Sequence, residues 1–308
     1  MNIQEQSWPS FLSRVVRRTG TLIIKLFRIL IIFQLIIGLS ASGKPYVLLI
    51  SFDGFRADYL EWYFTPNFDR LASKGVKAQG LKPVFVTKTF PNHYSIVTGM
   101  YIETHGLIGN DFYARDLDLH FRLSDRSMVE NGRFYGGEPI WVTAENQGLK
   151  TAAYFWVGSE APVGGIFPSI WKPYDESIPF RARIDSIATW FELPSDRRPN
   201  LALLYFNEPD NVGHNYGPKA PETEAMIEQL DEIMGTIMDK MELLSIYDSL
   251  NIIVVADHGM AEVDPAKMIK LYRYFNFSGL KIEGTNPYVF LSGVSPRRLN
   301  KIYKTLSR

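Results

Sequence analysis

The sequence contains no cysteine at all. Disulfides and thiolate metal sites are thereby excluded, and any bound metal must be held by histidine and carboxylate groups. Net charge is missing as well: lysine plus arginine and aspartate plus glutamate both total 33, so no cationic field exists to hold a nucleic-acid backbone. A dedicated nucleic-acid-binding role is disfavoured. Internal repeats and low-complexity segments are absent, and the chain has only five histidines. What is present is 46% hydrophobic and 14% aromatic residues in a chain of 308, enough to bury a sizeable core in one large α/β domain.

The first 43 residues differ from the rest. Arg14, Arg17, Arg18, Lys25 and Arg28 precede an uncharged apolar run, Ile29 to Leu39, which exits through Ser40, Ala41, Ser42 and Gly43. The run is shorter than the ~20 residues that span a bilayer, and its basic flank and small-residue exit predict a secretory signal peptide or an N-terminal signal anchor. Export to the cell surface or beyond is expected. Asn276-Phe277-Ser278, a glycosylation sequon, agrees with that.

From Tyr46 onward short β-branched runs alternate with helical patterns, which predicts a mainly parallel central sheet with helices on both faces. Val47 to Ser51, Thr151 to Phe155, Leu201 to Phe206 and Ile252 to Ala256 are apolar throughout, as strands buried on both faces should be. The longest helix is expected over Glu222 to Leu244. Its apolar positions Met226, Ile227, Leu230, Ile233, Met234, Ile237, Met238 and Met241 recur every three or four residues and describe one buried stripe. Residues Leu107 to Gly137 and Gly158 to Phe180 lack periodicity and read as long loops over the functional face.

Three of the expected strands are followed by acids: Asp53, Asp210 and Asp257. In an open α/β sheet ligands bind beyond the carboxyl ends of the strands, so these acids should converge there. Converging carboxylates repel unless a cation neutralises them. His214 and His258 stand beside two of the three, and aspartate with histidine is the ligand set of a hydrolytic zinc centre. Any one of these residues alone reads better as a turn or a hydrogen-bonded surface group; the shared placement favours metal. Thr89, two residues before Pro91, adds a hydroxyl near a predicted helix start, where backbone N–H groups would face an anion. On those residues alone a helix-capping threonine is the better reading.

The motifs then become specific. Val47-Leu48-Leu49-Ile50-Ser51-Phe52-Asp53-Gly54, Lys88-Thr89-Phe90-Pro91-Asn92-His93-Tyr94, His105-Gly106-Leu107-Ile108-Gly109-Asn110, Tyr154-Phe155-Trp156, Glu208-Pro209-Asp210 through Gly213-His214, and Asp257-His258-Gly259-Met260 follow in order. Together they closely resemble the nucleotide pyrophosphatase/phosphodiesterase family, the type I phosphodiesterases of the alkaline phosphatase superfamily. The resemblance implies an alkaline-phosphatase-like α/β catalytic domain over residues 44–308 and two zinc ions. Asp53, Thr89, Asp257 and His258 would bind one zinc, and Asp210 and His214 the second. Thr89 would be the nucleophile, forming a covalent phosphothreonine, while Asn110 would hold a non-bridging phosphate oxygen. Phe90 and Tyr174 fall where the family holds a nucleotide base, with Trp156 and Tyr205 nearby.

Two departures go with the resemblance. Asp111 follows Asn110 where several nucleotide-cleaving relatives carry lysine, which disfavours extra phosphates. The family's second zinc takes a further histidine, and none follows His258 here, so the catalytic domain is expected to be truncated at the C-terminus. The same centre would also serve a phospholipid or choline-phosphate phosphodiesterase, and a truncated fold could be a non-catalytic surface protein. No arginine stands beside the Thr89 motif, which argues against a phosphomonoesterase. The expected partner is a nucleotide or other small phosphodiester.

Overall fold

The computed structural model describes residues 45–284 and 288–307. The expected leader, 1–43, lies outside them. Among the described residues no helix is long and apolar enough to cross a membrane.

The core is built on a sheet of five parallel strands: β1 (Tyr46–Phe52), β4 (Thr151–Tyr154), β5 (Ile170–Lys172), β6 (Leu201–Phe206) and β7 (Leu250–Val255), in the order β5-β4-β6-β1-β7. Side chains alternate between the faces of a strand. One face carries Leu48, Ile50, Phe52, Ala202, Leu204 and Phe206, and the other carries Leu49, Leu201 and Leu203. Both faces are apolar because both are covered. Helices α1 (Pro66–Ser73), α4 (Phe180–Glu192) and α6 (Pro221–Glu242) cover the first, and α2 (Thr89–Thr98) and α3 (Ile140–Asn146) the second. A further short helix, α5 (Asp210–Tyr216), follows β6.

The methionine-rich stripe of α6 is core as expected: Ile227, Leu230, Met234, Ile237 and Met241 are wholly buried, each worth about 1.5–3 kcal/mol of transfer free energy. Three expectations need correction. The strand after Leu250 is not buried on both faces, because β7 is the edge of the described sheet and Ile253 is 46% exposed. Phe155 is not in β4, since its φ of 69° turns the chain out of the strand. The two aperiodic segments border the functional face but are not plain loops. The first folds into an antiparallel hairpin, β2 (Asp111–Ala114) with β3 (Leu119–Arg122), and the second supplies β5. These strands are so short that no period develops within them.

A buried carboxylate locks α1 to α6. Asp231 accepts hydrogen bonds from the N–H groups of Asn67 and Phe68, both at 2.9 Å, and from the Asn67 amide at 2.8 Å, which satisfies the orphan donors of the α1 start. The Asn67 side chain thus held lies against Gly235 in the middle of α6, where a Cβ would sit 2.6 Å from Asn67 Oδ1. Gly235→Ala should therefore lower stability by about 1–3 kcal/mol, although alanine is the better helix former by about 1 kcal/mol. Urea unfolding would measure it; an unchanged or raised midpoint would mean that Asn67 yields freely.

Candidate active site

The parallel register sets the strand ends level, with Phe52 opposite Phe206 and Ser51 opposite Val255. Asp53 follows β1 directly, Asp257 follows β7, and Asp210 opens α5. Gly54 lets them close up: its φ is +71°, its N–H donates to Asp257 Oδ1 at 3.1 Å, and a Cβ there would lie 3.0 Å from the Asp210 side chain. The sequence-predicted convergence is present, and the acids are deep. Asp53 and Asp257 are each 2% exposed.

One oxygen of each acid, Asp53 Oδ1, Asp210 Oδ1 and Asp257 Oδ2, is buried without a hydrogen-bond partner among the described residues. An orphaned buried carboxylate oxygen is costly. Each faces a histidine nitrogen 3.2–3.6 Å away without forming a hydrogen bond to it. His258 Nε2 is 3.6 Å from Asp53 Oδ1 and 3.2 Å from Asp257 Oδ2, and His214 Nε2 is 3.5 Å from Asp210 Oδ1. Two ligands of one tetrahedral zinc, each about 2.1 Å from the ion, stand about 3.4 Å apart. The separations suit a shared cation better than a direct bond. Asp53, Asp257 and His258 form a group able to hold one metal ion. His258 is oriented for it, since its Nδ1 donates to the Gly259 carbonyl at 2.9 Å and leaves Nε2 free.

The electrostatics agree. Burial pushes the Asp53 carboxyl well above the ordinary carboxylate range, and the charges of Asp257 and Asp210 push it further. Burial raises Asp210 as well. Asp257 is equally buried, yet His93, His258 and the Gly54 N–H together hold it below its ordinary value. Tyr205, expected near a substrate, lines the cavity beside Thr89, and its hydroxyl donates to Asp53 Oδ2 at 2.6 Å.

Thr89 is the first residue of α2, after Lys88 at the cap, so its N–H is among those a helix start leaves unpaired. Asn92 fixes the approach to it, accepting from the Val84 N–H at 2.7 Å and donating to the Val86 carbonyl at 2.9 Å. The Asn110 carbonyl oxygen accepts from the Phe90 N–H at 3.1 Å, so its amide hydrogens remain for an anion. Beside Thr89 opens a cavity of ≈ 280 Å³ lined by Asp53, Phe90, Asn110, Tyr174, Tyr205 and Asp210 among others. Trp156 is on its wall but wholly buried, packed edge-on against His93. Asp257, His258 and His214 are not in its lining. Asp111 is taken up by the hairpin, with His120 Nε2 at 2.7 Å and Arg122 Nε at 3.6 Å, so its charge is balanced where it stands.

Three residues of the site carried no functional expectation. His93, quoted only as part of a motif, lies one helical turn after Thr89, and that spacing was its available signal. Arg183 is wholly buried, donating to the carbonyls of Ile178 at 3.1 Å and Tyr205 at 3.2 Å and lying over the rings of Phe155 and Phe180. It fastens the segment after Tyr174 to the end of β6. Glu160 pairs with Arg126 and accepts from the Tyr174 N–H at 2.9 Å, which sets that ring's backbone. An arginine on a helix and an acid in a loop read as solvent-facing, so neither had a sequence signal.

Residues 47–308 match the model of the family described as type I phosphodiesterase / nucleotide pyrophosphatase. The chain is 44% identical over 232 residues to human ectonucleotide pyrophosphatase/phosphodiesterase family member 1, covering 75% of this chain and 25% of that protein. It is 42% identical over 246 residues to a venom phosphodiesterase of Crotalus durissus collilineatus, covering 79% of this chain and 30% of that one. The chain therefore spans less than a third of the length of these curated relatives. Among solved structures it superposes on murine ectonucleotide pyrophosphatase/phosphodiesterase 5, an inactive threonine-to-alanine variant in complex with AMP. That match has a TM-score of 0.78 and 32% identity over 85% of this chain and 69% of the other. On a family model that takes in the whole described sheet, the acids at its strand ends and Thr89 alike, this chain belongs to the type I phosphodiesterase / nucleotide pyrophosphatase family, with the alkaline-phosphatase-like fold of its structural neighbours.

Proposed function

We propose that this chain forms the catalytic part of a zinc-dependent phosphodiesterase that cleaves phosphodiester or pyrophosphate bonds of nucleotides. The observation that carries this is the set of orphaned carboxylate oxygens facing histidine nitrogens at zinc-ligand spacing, beside a hydroxyl at a helix start. Asp53, Asp257 and His258, with the Thr89 hydroxyl, would hold one zinc, and Asp210 with His214 would hold a second. Bound zinc supplies the positive charge that makes a threonine hydroxyl nucleophilic at neutral pH and stabilises the departing oxygen.

The chain's own residues do the remainder. Thr89 Oγ gives its proton to solvent and attacks phosphorus as the bond to the leaving alcohol or phosphate breaks; water then attacks the phosphothreonine, cleaving its bond to Oγ, which takes back a proton. The Thr89 N–H and the Asn110 amide donate to the non-bridging oxygens as charge develops on them. Phe90 and Tyr174 offer ring faces for a base, while Trp156 backs the wall from behind. An inactive relative carries a threonine-to-alanine change and binds AMP, which supports both the nucleophile and the substrate class. Secretion or cell-surface placement rests on the leader sequence, and the Asn276 sequon stands in an exposed turn.

Thr89→Ala should abolish release of nitrophenol from a nucleoside 5′-monophosphate nitrophenyl ester by about 10³-fold or more. Turnover surviving in the variant, or a preference for nitrophenyl phosphate, would refute the assignment.

Phe90→Ala and Tyr174→Ala should each raise KM for the nucleoside ester about 5- to 150-fold, from a stacking worth ~1–3 kcal/mol, and leave bis(nitrophenyl) phosphate unaffected. Equal losses on both substrates, or a better choline-phosphate ester than nucleoside ester, would favour the phospholipid or choline-phosphate reading.

A further inference from the structure

His93 is wholly buried, is not in the lining of the cavity beside Thr89 and is not among the candidate ligands, yet its Nδ1 faces Thr89 and Asp257. Its Nδ1 is 2.9 Å from the carbonyl oxygen of Thr89 and 3.4 Å from Asp257 Oδ2. Its Nε2 is 2.8 Å from Oγ of Ser51, the penultimate residue of β1, two before Asp53. The ring is clamped edge-on between Trp156 and Tyr205, at 5.4 and 5.1 Å between centroids.

The partners fix the tautomer. A carbonyl and a carboxylate oxygen can only accept, so Nδ1 carries the hydrogen, and Nε2 accepts from the Ser51 hydroxyl. One N–H thus serves the backbone of the nucleophile and faces the acid of the metal group, from a ring anchored to the strand that bears Asp53. We infer that His93 is a positioning residue that sets the distance between the Thr89 hydroxyl and the Asp257 carboxylate through its Nδ1–H. The inference rests on the reading of Thr89 as nucleophile and Asp257 as ligand.

The arrangement has the parts of a serine, histidine and aspartate triad but not its use. Ser51 is wholly buried and is not in the lining of the cavity beside Thr89, so its hydroxyl orients the ring and meets no substrate there. The chemistry belongs to the threonine at the other nitrogen, which receives a hydrogen bond at its backbone rather than at its hydroxyl.

Two amides separate the two nitrogens. An asparagine places its NH₂ near the Nδ1 position and can still donate to the Thr89 carbonyl, whereas a glutamine places its NH₂ near Nε2 and cannot. The experiment compares His93→Asn and His93→Gln with Thr89→Ala as the control, by steady-state kinetics on the nucleoside nitrophenyl ester and by zinc affinity from chelator competition. The expected result is a kcat about 10-fold lower for H93Q than for H93N with similar KM, and zinc affinity falling in the same order. Glutamine, larger and nearer the volume of the ring, should be the better substitute if His93 only fills space. H93Q equal to or better than H93N, with Thr89→Ala inactive, overturns the inference while leaving the reaction intact. An active Thr89→Ala overturns the reading beneath it. Should both amide variants misfold, Ser51→Ala tests the network from its anchor: lowered kcat at constant KM supports the inference, and unchanged kcat overturns it.

Discussion

Three carboxyl groups crowd the same end of a parallel sheet, two of them almost without solvent, and each keeps one oxygen that no donor among the described residues satisfies. Left as they are, they repel one another; burial, with that repulsion, displaces Asp53 and Asp210 upward, while His93, His258 and the Gly54 N–H hold Asp257 down. A cation removes the penalty at a stroke, and the neighbouring side chains are arranged as though it were due. Tyr205 occupies the second oxygen of Asp53, Gly54 occupies the second oxygen of Asp257, and the Gly259 carbonyl occupies the second nitrogen of His258. Asp53, Asp257 and His258 therefore each have one atom fastened and one atom free. That division between holding and offering is the constraint from which the rest of the site follows.

The sheet makes the arrangement possible and the covering layers make it useful. Parallel strands deliver Asp53, Asp210 and Asp257 to one edge from positions far apart in sequence, while α2 brings Thr89 to the same edge with its helix start facing in. The cavity wall comes from segments with little regular structure of their own. They are fixed instead by buried charge, through Arg183 on the carbonyls of Ile178 and Tyr205 and through Glu160 on the Tyr174 N–H. Such tethers hold the rings of Phe155 and Tyr174 at one side of the cavity with no strand or helix to carry them.

Much of this was legible from residues. Continuous apolar runs marked β1, β4 and β6, the three-and-four spacing of isoleucine and methionine marked α6, and acids after strands marked the place where the candidate metal ligands converge. Each signal is a short-range pattern dictated by the element that carries it. What stayed hidden depends on partners distant in sequence. The exposure of β7 follows from its place at the edge of the sheet, which Ile252, Ile253 and Val254 do not record. The β2–β3 hairpin is too brief for its alternation to stand out. Nothing in the sequence reveals that the Tyr205 hydroxyl meets Asp53 at the end of the neighbouring strand, and Arg183 carries no sequence signal because its acceptors are backbone carbonyls.

The central claim is that the orphaned oxygens mark a zinc site, and equilibrium dialysis of the metal-free protein against zinc tests it without reference to turnover. The account predicts saturable zinc binding, with proton release as Asp53 ionises and with affinity about 10-fold or more weaker in His258→Ala and in Asp53→Asn. Absence of saturable binding, or binding indifferent to both substitutions, would contradict it.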